Sequence, residues 1–368
     1  MSDPCPPHLW DERQSGERIS VSMRILVAGD RFVLSELFAE HLREMLGEDA
    51  NLVTLELPWP MQPLGSVAEV GEASGTEDEL ITAIKGVEVV VTQVAPLTRR
   101  VIGSAEALCM IVCTRGGPVN VNVEAASERG IAVCNTPGRN GPAAAEYTVG
   151  LVLAAMRRIH EAHSSLSAGE WRGEFYAFEQ CGSELAGSTV GLVGFGAIGR
   201  QVARVIRALG AEVLVHDPFV DATEVGEVGA RKTGLDELLG SSRVVSLHAR
   251  LTPETRGMIG AREMKRMRPG AILVNTARGG LLHYDALCDA LESGHLGAAA
   301  LDVYPEEPLP KRSRILNTPR LLLSPHIAGA TKDTANRAAR LAAEEVGRYA
   351  RKQRLANQLN RTDVAYPV

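Results

Sequence analysis

The stretch TVGLVGFGAIGRQVARVIRALG, Thr189 to Gly210, decides the fold. Its first five residues are an apolar run of strand length, and a helical pattern starts within the glycines that follow. Between them stands GxGxxG: Gly194, Phe195, Gly196, Ala197, Ile198, Gly199. The first glycine permits a tight turn, the second lets the backbone approach a pyrophosphate, and the third lets helix and strand pack closely. A helix starting there turns unpaired N–H groups and the positive end of its dipole toward phosphate. Glycine turns between strand and helix are also ordinary structural devices, so the motif needs company. It has it in the next apolar run, AEVLVHD, which ends at Asp217, 18 residues past Gly199. A carboxylate there accepts both ribose hydroxyls and repels a 2′-phosphate, which favours NAD over NADP. His216 reads as a flanking residue.

Outward from this unit the chain alternates. From Met23, MRILVAG, NLVTLEL, VEVVVTQV, CMIVCTRGG and IAVCNTP read as strands with helical stretches between them, apart from a Pro- and Gly-rich loop from Pro58 to Gly75. Such alternation implies parallel strands joined by crossover helices, and a first doubly wound domain ending near Asn140. The longest helical pattern, Ala143–Leu166, is suited to bridging two domains. A second alternation runs from STVGLVGFG to RLLLSPH, and a last helix follows it. The expected class is α/β with two doubly wound, Rossmann-like parallel sheets. A length of 368 residues agrees with two domains.

Composition narrows the function. Apolar residues make up 45% and charged residues 23%, as in ordinary globular proteins, and the formal net charge is -6. That balance offers no general attraction to nucleic acid or anionic lipid, so neither is expected as a partner, and anionic ligands must be held by local groups. No run approaches the roughly 20 apolar residues of a membrane span, and residues 1–22 have no signal-peptide core. The six cysteines show no paired framework and read as reduced thiols, which with the absent leader gives a cytoplasmic expectation. His160 and His163 are a close pair without a third ligand, read as a solvated helix end rather than a metal site.

Three strand ends carry chemistry. AILVNTA gives way to Arg278, GAAALDV to Glu306 and Glu307 between prolines, and RLLLSP to His326. In an open parallel sheet ligands bind beyond the carboxyl ends of strands. Taken singly, an arginine capping a sheet edge, a solvated glutamate and a loop histidine need no function. At successive strand ends after a dinucleotide turn they form a set suited to reducing a 2-oxo acid. The guanidinium holds the carboxylate in a fork and polarises the carbonyl, the imidazole supplies the proton as hydride arrives, and a carboxylate orients the imidazole and favours its cation. Thr276, Ala277 and Asp302, at the same strand ends, join the expected cofactor contacts. A small 2-oxo or 2-hydroxy acid is the expected substrate.

The stretches SERGIAVCNTPGRN, AEYTVGLVLAAMRR, GSELAGSTVGLVGFGAIG, VSLHARLTPETRGMIG, MRPGAILVNTARGGLL, ALDVYPEEPLP and LLLSPHIAGAT, in this order, resemble the D-isomer-specific 2-hydroxyacid dehydrogenases. The resemblance covers about Met23 to about residue 350. It implies roles for Arg278 at the substrate carboxyl and carbonyl, for Glu307 as partner of the histidine, and for His326 as acid/base. It also implies an NAD domain, 141–326, inserted into a flavodoxin-like substrate domain, 23–140 with 327–355, between an N-terminal tail, 1–22, and a C-terminal tail, 356–368. A homodimer through the cofactor domains is implied as well. The chain runs about 40 residues past His326, too few for the regulatory domain of some serine-pathway relatives, so feedback of that kind is not expected.

Two stretches depart from the family pattern. The substrate loop reads RGGPVNVN, with Pro118 and Val119 at positions usually flexible or polar; the N–H groups of Gly116 and Gly117 remain candidates for a substrate carboxylate, beside the plain reading of a glycine turn. LHARLTPET carries Ala249 and Arg250 where the family usually shows Pro before Leu-Thr. Arg250, Arg115 and Arg139 are each either solvent-facing or aimed at a phosphate or second carboxylate of a sugar acid. The alternatives to a dehydrogenase are an NAD(H)-sensing, corepressor-like binding protein and a formate or phosphonate dehydrogenase on the same scaffold.

Overall fold

The computed structural model describes residues 23–360 and Thr362; the expected tail at 1–22 lies outside the described residues. The chain divides into two compact units, one formed by its two ends, up to Pro137 and from Ala335, the other by Gly138–Thr334.

The first unit contains β1 Arg24–Gly29, β2 Asn51–Glu56, β3 Gly65–Val67, β4 Val70–Ala73, β5 Val89–Thr92, β6 Met110–Cys113 and β7 Ala132–Asn135. Five of these form a parallel sheet in the order β2-β1-β5-β6-β7, which is the flavodoxin-like order. The runs VVVT, MIVC and AVCN are buried throughout, as strands covered on both faces must be. On one face Phe38 and Leu42 from the helix Ser35–Leu46 pack with Ala339, Ala343 and Tyr349 from the helix Lys332–Ala350. On the other, Leu80, Ile102 and Ala126 come from three short helices. Burying one such large apolar side chain stabilises by about 1.5–3 kcal/mol.

Two expectations for this unit are refined. The stretch Pro58–Gly75, read as loop, contains the antiparallel pair β3 and β4, turned at Ala68 with φ 48°. Its polarity hid a hairpin that buries only Val70 and Ala73 along its strands. Residues 356–360, read as the start of a tail, lie along β7: Gln358 bridges Cys134 antiparallel, and Leu359 N–H donates to Val133 O at 2.8 Å. Asn360 fixes the stretch, its Oδ1 accepting Val133 N–H at 2.9 Å and its Nδ2 donating to Ile131 O at 2.8 Å.

The second unit contains β8 Thr189–Val193, β9 Glu212–His216, β10 Arg231–Lys232, β11 Val244–Leu247, β12 Ala271–Asn275, β13 Leu296–Leu301 and β14 Leu321–Leu323. All seven are parallel in the order β10-β9-β8-β11-β12-β13-β14, so the order reverses between β8 and β11. That reversal is the switch point where a crevice opens at the carboxyl ends of the strands. Val149, Val152 and Ile206 cover one face and Met264, Leu287 and Leu291 the other.

The long helical pattern is divided in two. Its first part, Gly141–Met156, belongs to the second unit and packs in its core. The helix then breaks at Arg158, with φ 53°, and resumes as Ile159–Ser167. Arg158 pairs with Glu161 at 2.6 Å and donates to Gln180 O at 2.9 Å, and a side chain at Gly182 would stand 2.2 Å from Met156 O. The returning chain thus occupies the space where the helix would have continued. His160 and His163 consequently lie within the second helix rather than at the end of the first.

Removing the Asn360 side chain leaves the buried Val133 N–H without its acceptor. We expect Asn360→Ala to lower stability by about 2–3 kcal/mol, read as a fall in the thermal unfolding midpoint; an unchanged midpoint would mean that the 356–360 stretch adds nothing to the sheet.

Candidate active site

The glycine turn follows β8. Gly194 has φ 100°, and a Cβ there would stand 2.5 Å from Ala249 N. A Cβ at Gly199 would stand 2.6 Å from Gly194 O, so the third glycine permits the close contact of helix and turn. At Gly196 an added Cβ meets no atom within 4 Å. The turn is therefore tight on the protein side and open where a diphosphate must approach, and the helix Ala197–Ala208 starts at that opening. These residues fit a dinucleotide.

Phe195 turns inward and is fully buried, with Arg200 stacked 4.9 Å from its ring centre and bound to Glu224 at 2.6 Å. Ala197 and Ile198 form the first turn of the helix. Asp217 follows β9, where its carboxylate accepts Phe195 N–H at 2.8 Å and Phe219 N–H at 2.9 Å. It braces the turn through one lone pair on each oxygen and keeps others for hydroxyls. His216 is half-buried, and its Nδ1 meets Thr233 O at 3.3 Å. Across the turn, burial brings the His248 imidazole down to about 4, so it is neutral at physiological pH; its Nε2 meets Ser246 Oγ at 3.0 Å.

The three strand ends that follow are braced against one another. Past β12, the buried Asn275 makes the turn: its Oδ1 accepts Ala277 N–H and its Nδ2 donates to Arg278 O, both at 3.0 Å. Thr276 Oγ1 lies 2.7 Å from Thr148 Oγ1. Arg278 is exposed. Gly279 explains the next position of the motif, because a Cβ there would stand 1.9 Å from Tyr304 O. Only glycine lets the arginine loop lie against the loop beyond β13.

Beyond β13, Tyr304 N–H donates to Glu307 Oε1 at 2.9 Å, and Glu307 Oε2 stands 2.5 Å from His326 Nδ1. Burial by itself pushes the Glu307 carboxyl up, but the hydrogen bond from His326, its charge, Tyr304 N–H and the Arg278 guanidinium together hold it below its ordinary value. Glu306 makes no comparable contact with His326, so the pair settles on Glu307. His326 itself has φ 55°, a conformation uncommon for a residue with a side chain and frequent at functional sites.

Asp302 holds that conformation. It is completely buried, and its carboxylate accepts Ser324 Oγ–H at 2.6 Å, Ile327 N–H at 2.9 Å and Ala328 N–H at 2.8 Å. These contacts are with the His326 loop, which they position. Tyr304 adds a second brace by donating from its hydroxyl to Ser324 O at 2.8 Å, and burial pushes that hydroxyl up to about 12. Sequence reading passed over Asn275, Tyr304 and Ser324. Their one signal was adjacency to the strand ends already singled out.

Elsewhere, Gly116 and Gly117 form an exposed turn past β6 in the first unit, and Arg115 beside them is paired with Glu72. Arg139 is half-buried just before the helix Gly141–Met156. Among the described residues there is no group of three or more His, Cys, Asp or Glu able to hold a metal, and no helix long and apolar enough to cross a membrane.

The sequence matches the model for the D-isomer specific 2-hydroxyacid dehydrogenase, NAD binding domain, over residues 149–328. It is 37% identical to a D-3-phosphoglycerate dehydrogenase of Methanocaldococcus jannaschii over 82% of this chain and 57% of that one. It is 41% identical to a glyoxylate reductase of Aeropyrum pernix over 66% of this chain and 73% of that one. The solved structure of a glyoxylate reductase from Paecilomyes thermophila is 28% identical, with a TM-score of 0.73 over 92% of this chain and 98% of that one. The chain spans little more than half the length of the D-3-phosphoglycerate dehydrogenases it matches. A glycine turn left open at Gly196, in a chain this similar over four fifths of its length, places the protein in the D-isomer specific 2-hydroxyacid dehydrogenase family, with an NAD-binding domain in its second unit.

Proposed function

We propose that the protein is an NAD-dependent oxidoreductase interconverting a 2-oxo acid and a D-2-hydroxy acid. The observation that carries this reading is the Glu307–His326 pair at 2.5 Å, with Arg278 close enough for its charge to act on the same carboxylate. NAD(H), when bound, accepts or supplies the hydride. Arg278 forks the substrate carboxylate and polarises the carbonyl oxygen. His326 donates its proton to that oxygen during reduction and removes it during oxidation, while Glu307 fixes the ring through Nδ1 and leaves Nε2 for the substrate. Thr276, Ala277, Asp217 and residues 194–199 are the proposed cofactor contacts, and Asp302 serves by holding the histidine loop.

We further infer that the first unit binds substrate. Its exposed Gly116 and Gly117, where an added Cβ would meet nothing within 4 Å, are the residues to which this role is assigned. A reducing, cytoplasmic setting fits the free thiols of the described cysteines. A homodimer through the cofactor unit is supported by the exposed large apolar side chains gathered in one stretch of it: Ile159, Leu166, Trp171, Tyr176 and Phe178, the last three at least 85% exposed.

A panel of 2-oxo acids with NADH and with NADPH, followed by loss of nicotinamide absorbance, tests the activity. We expect turnover with NADH, a loss of roughly 10²-fold or more in kcat for His326→Ala with NADH affinity kept, and a raised KM for Arg278→Ala. Tight NADH binding without turnover of any acid would make the protein a nicotinamide sensor instead.

The pH profile tests the pair. Glu307 is held below its ordinary value, so the contact is present through neutral pH and is lost as the pH falls through that lowered value. Glu307→Gln removes that titrating carboxylate, so the loss of activity as the pH falls through the lowered Glu307 value should disappear from the profile; a profile identical to that of the parent protein would exclude the assigned role.

Sedimentation tests the assembly. Trp171→Asp with Phe178→Asp should turn a dimer into monomers without changing the far-ultraviolet circular dichroism, and a parent protein already monomeric would refute the dimer.

A further inference from the structure

We infer that Arg250 is a cofactor-binding residue whose guanidinium takes a phosphate of the dinucleotide; this rests on the NAD reading above. The placement follows from the backbone. β11 pairs with β8 at the switch point, and His248 N–H continues that pairing to Val193 O at 2.7 Å. The segment just past β11 lies directly on the glycine turn, as the 2.5 Å between Ala249 N and a Cβ at Gly194 shows.

Side-chain direction follows from alternation. Leu247, Ala249 and Leu251 all pack into the core on the far face of the sheet. His248 points the opposite way, its Cβ 3.6 Å from where a Cβ of Gly199 would be. With Ala249 and Leu251 on either side of it packed on the far face, Arg250 is placed on the face of His248, on the side of the helix Ala197–Ala208 and one step further out past the carboxyl edge.

Arg250 is held ready for such a contact. Its carbonyl accepts Thr255 Oγ1–H at 2.6 Å, and Thr252 N–H donates to Thr255 Oγ1 at 2.8 Å, which fixes the backbone of the turn. Its side chain is exposed and forms no hydrogen bond or ion pair with any described residue. The turn itself brings N–H groups but no side-chain cation, since Ala197, Ile198 and Gly199 carry none and Arg200 is engaged by Glu224 and Phe195. A guanidinium forks phosphate oxygens and keeps its charge at any working pH, and here it replaces an otherwise neutral proline position of the family pattern.

The experiment measures binding directly, by isothermal titration or quenching of protein fluorescence, for NADH, ADP-ribose and adenosine. In Arg250→Ala we expect the Kd of NADH and of ADP-ribose to rise about tenfold at low salt, with the difference shrinking as salt is added and adenosine affinity unchanged. Arg250→Lys should restore most of the loss. Unchanged NADH affinity with a raised KM for the oxo acid would assign the arginine to substrate and overturn the inference, as would an equal loss for adenosine. Failure of the parent protein to bind NADH would overturn the cofactor reading and this inference together, whereas absence of turnover with NADH binding intact leaves the Arg250 outcome decisive.

Discussion

A buried carboxylate carries the site. Asp302 has no exposed surface, and a charge so placed is costly unless it is met by donors. Three donors meet it, and two are consecutive backbone N–H groups of the loop that contains His326. The histidine's left-handed backbone is thereby over-determined, because relaxing it would strip a buried carboxylate of its partners. The same logic spreads sideways. Tyr304 ties the chain beyond β13 to Ser324 through its hydroxyl, offers its N–H to Glu307, and presents its carbonyl to Gly279 with no room for a Cβ. Arginine, glutamate and histidine come from three separate strand ends, and these contacts hold them in one constellation.

How much of this was legible in the sequence depended on range. The three glycines were readable because each missing Cβ has a local consequence: a positive φ at Gly194, open space at Gly196, contact with Gly194 O at Gly199. Arg278, Glu307 and His326 were readable because a parallel sheet presents its chemistry at carboxyl ends. Choosing Glu307 over Glu306 took the family pattern, since two adjacent glutamates differ only in which way the loop turns them.

What stayed hidden was set by distant partners. Asp302 reads from sequence as one more strand-end carboxylate near a cofactor; its hold on Ser324, Ile327 and Ala328 spans more than twenty residues. The break at Arg158 has no proline or glycine to announce it and is imposed by Glu161, Gln180 and the return of Gly182. Residues 356–360 are polar enough to read as a tail, and become an added edge because Asn360 and Glu345 supply the hydrogen bonds their backbone requires.

A net charge of -6 constrains how the proposed site could take an organic acid. Long-range attraction cannot gather anions here, so capture must be local. In the proposed reading the glycine turn does this with N–H groups and a helix end, and Asp217, which braces the turn, would oppose phosphate on the ribose. In the catalytic set, Glu307 stays ionised although burial opposes it, because the cations and the N–H around it outweigh desolvation. Its charge cancels that of Arg278. In the proposed reaction a protonated His326 would leave the trio with one net positive charge, the complement of one carboxylate. In that reaction His326 would give up that charge with its proton to the substrate oxygen, and a bound NAD(H) would supply the hydride chemistry beside it.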